Sequence, residues 1–110
     1  MPIARGTFRV FNLHSFRGLF DVEGFEMHVE GRFTESIPAF DAPDALLEYY
    51  NISDLIGSYA IASGFIGINT FDVQFEGSGG KKTKLTGIIP GGLDRRYIIT
   101  GSATWDGHKE

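Results

Sequence analysis

A chain of 110 residues is one domain by size, and its formal net charge of −4 leaves no basic field to hold a phosphate backbone, which argues against nucleic-acid binding. It has no Cys, so disulfides, thiolate nucleophiles and Cys-ligated zinc are excluded. Ten Phe and fifteen Gly point to strands, tight turns and a dry core rather than a helical bundle.

The N-terminal MPIARGTFRVFN has no apolar run ahead of a small-residue cleavage site. No signal peptide is expected, and a cytoplasmic location is the default. Strand character begins with Gly6–Phe16, rich in Phe, Val and Thr. From Gly24 the chain alternates: Phe25, Met27, Val29 and Phe33 fall on one face, and Glu26, His28, Glu30 and Arg32 on the other. Period two marks a half-buried strand. A hairpin turn at Glu23-Gly24 would set Asp21 opposite Glu26, Leu19 opposite His28 and Arg17 opposite Glu30. A turn at Arg17-Gly18 is the alternative.

Asp41, Pro43 and Asp44 resemble a helix start, and Leu46, Leu47 and Tyr50 lie at helical spacing. A short helix is predicted over 43–50, extending at most to Ile56 and stopped by Gly57. The stretch Tyr49–Phe71 carries a single charge, Asp54. A membrane helix needs about twenty uninterrupted apolar residues. Asn51, Asp54, Asn69 and three glycines interrupt this one, so no membrane span is expected.

GFIGINTFDVQFEG reads as one strand, with Phe65, Phe71, Val73 and Phe75 on one parity and Ile66 and Ile68 on the other. GSGG is a loop, KKTKLTGII the returning strand, PGGLD a turn, and RRYIITGSATW the last strand. The polar tail DGHKE is expected to fray. No repeat of fixed period stands out.

Six to eight strands with short turns predict a mainly β fold over a single domain, residues 1–110. The expected form is a small antiparallel β-barrel with one short helix, a two-sheet sandwich being the alternative. The pattern resembles the small eight-stranded barrels of lipocalin, avidin and allene-oxide-cyclase type in architecture alone, and no motif carries functional residues over.

Catalytic signatures are absent: no Ser lies in G-x-S-x-G, and GSGGKKTK lacks phosphate-loop spacing. The densest titratable group is Glu26-x-His28-x-Glu30-x-Arg32, whose side chains sit about 6.5–7 Å apart on one face. A His among carboxylates could serve as acid or base; the bland alternative is the wet face of a hairpin. His14, His28 and His108 have no ligand spacing, so neither metal nor cofactor is assigned. Tyr59 and Trp105 are amphipathic aromatics of the kind that line a pocket at a barrel mouth. The candidate ligand-binding residues are therefore Glu26, His28, Glu30, Arg32, Tyr59 and Trp105.

The leading expectation is a soluble binding protein for a small hydrophobic or mixed ligand, or for a protein partner. A barrel isomerase or cyclase and a self-assembling structural protein are the alternatives. Apolar residues on both parities of Gly64–Phe75 add a homodimer as an expectation. The discriminating question is whether the Glu26–Arg32 face points into a cavity or into water.

Overall fold

The computed structural model describes residues 2–11 and 13–109. The strands run in chain order as β1 (Ile3–Phe11), β2 (Ser15–Val22), β3 (Phe25–Phe33), β4 (Phe40–Glu48), β5 (Gly57–Ile66), β6 (Thr70–Gly77), β7 (Lys82–Ile88), β8 (Tyr97–Ile98) and β9 (Gly101–Lys109). Single 3₁₀ turns occupy Ile52–Asp54 and Ser78–Gly80. The sheet order is β6-β7-β4-β1-β2-β3-β9-β5, and β5 pairs back to β6. The result is an eight-stranded, closed, antiparallel barrel, with β8 as a short extra strand on β5. Closure removes the free edges that a sandwich would leave.

The connectivity differs from the up-and-down winding of lipocalin and avidin barrels. β4 returns beside β1 after the β1-β2-β3 meander, and β9 returns beside β5 after β5-β6-β7. Each half is thus a Greek key, of spatial order 4-1-2-3. The halves also agree in register. Phe16 pairs with Gly31 and Gly31 with Ala103; Phe71 pairs with Gly87 and Gly87 with Ala45. A methyl group on Gly31 would sit 2.5 Å from Cζ of Phe16, and one on Gly87 2.6 Å from Cζ of Phe71. The ring fills the place of the missing side chain in both halves. The backbone repeats the match: Phe33 N–H donates to the His14 carbonyl (2.7 Å) as Ile89 does to Asn69 (2.6 Å). Ile37 N–H donates to Leu13 (2.7 Å) as Leu93 does to Ile68 (2.6 Å).

The barrel interior is filled by side chains. Phe8, Phe16, Phe20, Phe71, Phe75, Met27, Leu47, Ile66, Leu85 and Trp105 are all essentially fully buried. Phe8 stacks on Phe71 with centroids 4.9 Å apart, and Phe16 on Phe33 at 4.6 Å. Each such side chain contributes about 1.5–3 kcal/mol by leaving water.

The Glu23-Gly24 turn forms as expected, with φ of 54° and 84°, the pair of positive values a type I′ hairpin requires. Asp21↔Glu26, Leu19↔His28 and Arg17↔Glu30 pair across it. Five expectations are corrected. Residues 43–48 are strand, not helix: Ala42, Ala45 and Leu47 alternate inward, and Pro43-Asp44 form a bulge between the Phe8↔Ala42 and Gly6↔Ala45 pairs. A bulge needs no ladder hydrogen bond from Pro. Gly6–Phe16 is two strands around a turn with Leu13 at φ 65°; Asn12 lies outside the described residues.

Gly64–Phe75 is likewise two strands, with the reversal at Gly67–Asn69. That turn shifts the parity, so Ile66 pairs with Phe71 and both face inward. The tail is strand rather than frayed end: β9 pairs along β3 from Phe33↔Gly101 to Phe25↔Lys109, and Glu110 lies outside the described residues. The last predicted strand in turn divides into β8 and β9. Among the described residues, no helix is long and apolar enough to cross a membrane.

Candidate functional site

Alternation along β3 fixes what each predicted site residue faces. Met27, Val29 and Phe33 point into the barrel, so Glu26, His28, Glu30 and Arg32 point outward into water. Arg17 Nη2 lies 2.9 Å from Glu30 Oε1, an exposed pair worth about 0–1 kcal/mol. His28 Nε2 lies 3.8 Å from Glu26 Oε2, and Asp106 faces His28 across the β3–β9 ladder. Two adjoining surface depressions follow this face, of about 350 and 260 Å³. Ser15, Arg17 and Arg32 line the first, His28 and Asp106 the second, and Glu30 and Thr104 belong to both.

Tyr59 and Trp105 are not on this face. Trp105 is 1% exposed, packed between Phe20 and Phe75 with ring centroids 6.1 Å from each. Tyr59 is buried, and its hydroxyl donates to the Asp54 carbonyl. The six residues therefore divide into an outer polar row and two interior rings. His14 lies apart from His28, against Ser36 at 3.3 Å. Among the described residues, no three His, Asp or Glu side chains approach closely enough to hold a metal ion.

A second place was not visible in the sequence. The chain from Tyr49 to Gly57 caps one barrel end. Tyr49 donates its hydroxyl to the Glu23 carboxylate (3.2 Å), and Asn51 N–H donates to Asp54 Oδ2 (3.3 Å). Burial, then the Glu23 hydrogen bond and charge, push the Tyr49 phenol above its usual range. Burial and the Asp54 charge do the same for Tyr59. Beside this cap lies an apolar depression of about 230 Å³, lined by Phe25, Met27, Ile52, Ser53, Ile56 and Gly107. Phe25 is 38% exposed and Ile56 61%. The only sequence signal for it is a pair of apolar residues, Ile52 and Ile56, in a segment without period-two pattern.

No family model, curated protein or solved structure matches the chain. What it does must be read from these surfaces.

Proposed function

We propose that the protein is a binding protein whose ligand is a small apolar group, a short aliphatic chain or a single ring, held in the depression between Phe25 and Ile56. The observation that carries this reading is the coincidence of a filled barrel with a recess at its capped end. Large apolar side chains are left partly open there, with Ser53 as a polar neighbour. Drug-sized pockets occupy about 300–1,000 Å³, so a recess of this volume suits a fragment of such a molecule. The outward direction of the Glu26–Arg32 row favours binding over the isomerase or cyclase reading, because a catalytic group needs a site that excludes water.

Titration of the ¹⁵N-labelled protein with hexanol and with toluene tests this. Amide shifts confined to Phe25, Met27, Ile52–Ile56 and Gly107 are expected, and Ile56→Glu should weaken them about tenfold or more, since the new carboxylate would be desolvated. Scattered shifts, or none up to the solubility limit, would reject the recess as a site.

Self-association is a second reading, favoured by exposed isoleucines at the opposite barrel end: Ile68 (53%), Ile88 (65%) and Ile98 (70%). Charges of both signs flank Ile98. Arg95 and Arg96 stack on Tyr97 and Phe65, and Asp94 accepts the Tyr97 hydroxyl at 2.7 Å. A two-fold contact between copies can set such opposite charges against each other. Sedimentation should show about twice the chain mass, reverting to monomer in Ile88→Glu/Ile98→Glu; a monomer at micromolar concentration removes this reading.

A further inference from the structure

The outer polar row and the two depressions beneath it are not used by the apolar site. They form one track along β3, because Glu30 and Thr104 line both depressions. From Arg32 to His28 the track spans about 13 Å at strand rise. Its side chains alternate hydrogen-bonding sense along the strand: Arg32 donates, Glu30 accepts, and His28 stands next to Asp106 across the ladder. Thr104 adds a hydroxyl able to do both. Planar guanidinium and carboxylate groups engage two neighbouring polar atoms at once, the geometry that a vicinal diol offers.

Formal charges in the track cancel: Arg17 and Arg32 against Glu30 and Asp106. A phosphate or a polyamine would meet no net field there. At the Arg32 end the Phe11 ring lines the depression, with the Arg17 guanidinium 5.9 Å from its centroid. The ring supplies an apolar wall beside the hydrogen-bonding groups.

The other half of the barrel provides an internal comparison. By register, the positions of Ser15, Arg17, His28, Glu30, Arg32, Thr104 and Asp106 are taken there by Thr70, Asp72, Lys84, Thr86, Ile88, Leu46 and Glu48. The core residues correspond and a charged pair recurs at the His28 end, but the stretch of donors and acceptors formed by Arg32, Glu30 and Thr104 gives way to Ile88, Thr86 and Leu46. Folding alone therefore does not require it.

We infer that the outer face of β2, β3 and β9 is a binding track for an uncharged, polyhydroxylated ligand, a short stretch of neutral oligosaccharide. The test is native gel electrophoresis through soluble neutral polysaccharides (laminarin, xylan, mannan and dextran), followed by amide-shift mapping with an oligosaccharide of any that retards the protein. Retardation by at least one is expected, with shifts at Ser15, Arg17, Glu30–Arg32 and Thr104. Arg32→Ala and Glu30→Gln should each weaken binding about tenfold, the size of one lost charge-assisted hydrogen bond. Both side chains lie on the outer face, so the fold should persist, which circular dichroism of each variant checks. Asp72→Asn, on the equivalent face, should leave binding unchanged. Failure of all four polysaccharides overturns the inference, as does binding that survives both substitutions. Retardation by heparin alone would also overturn it, assigning the arginines to an anionic polymer instead.

Discussion

The two Greek-key halves are built alike inside and differently outside. Phe16 over Gly31 is matched by Phe71 over Gly87, Val29 by Leu85, Phe20 by Phe75, and Trp105 by Leu47. Outward, the first half carries Arg17, Glu30 and Arg32 where the second carries Asp72, Thr86 and Ile88. Packing holds the inner positions to a common plan, since an interior at crystal-like density penalises any change of volume. The outer positions are free of that constraint, so chemistry specific to this protein is to be sought there.

The equivalence can be broken most forcefully at its phenylalanines. Phe16→Ala and Phe71→Ala should each cost about 3–5 kcal/mol, by lost burial and by the cavity left over a glycine. Urea denaturation of both variants measures this. Costs that differ by more than about 2 kcal/mol would mean the halves are alike in topology only. Charge sharpens the inside–outside contrast. Phe71→Asp should abolish the fold, whereas Thr70→Asp, on the exposed neighbour, should leave a cooperative transition.

A smaller effect is expected where the cores differ. Thr83 stands at the position Met27 holds in the first half, and its Oγ1 is buried with no hydrogen-bond partner among the described residues. Thr83→Val removes that unpaired hydroxyl and should stabilise the protein by about 1 kcal/mol, seen as a raised thermal midpoint. A loss of stability would show that the hydroxyl has a partner in solution.

The smallest effect concerns the links between strands. Glu35, in the first link, accepts the Thr100 N–H (2.9 Å) and hydroxyl (3.0 Å) from the second. Partial burial raises its pKa, but hydrogen bonds from the Thr100 N–H, from its own backbone N–H and from the Thr100 hydroxyl outweigh this and hold it below the usual glutamate value. A lowered carboxylate pKa adds stability above the unfolded value, and that stability is lost as the pH falls through the folded one. Glu35→Gln should therefore flatten the decline in denaturation midpoint below about pH 4.5 and leave its slope near neutrality unchanged. An unaltered acid limb would remove Glu35 from the tie between the links.

How far the sequence revealed this structure depended on whether one side of a strand was wet. From Gly24 to Phe33 it was, and both the alternation and the cross-strand partners could be read. At Leu13 and Ile68 it failed, because an apolar residue sits at each hairpin tip and the hydrophobic pattern runs through the reversal. At Pro43-Asp44 a bulge imitates a helix start, since both use Pro where no N–H is needed. The polar row was legible as a row, but its direction into water was fixed only by the structure, which buries Met27 and Val29 on the opposite face. The apolar recess was not legible, because Phe25, Ile56 and Gly107 meet only after the barrel closes.

The central claim is that the barrel is full, so that binding takes place on its outside. Trp105, the single Trp, reports on this directly from the interior beside Phe20 and Phe75. Its fluorescence should be blue-shifted and nearly unquenched by iodide, with and without saturating hexanol or oligosaccharide. Emission like that of tryptophan in water, or quenching that a ligand relieves, would place a solvent-accessible cavity inside the barrel and contradict the claim.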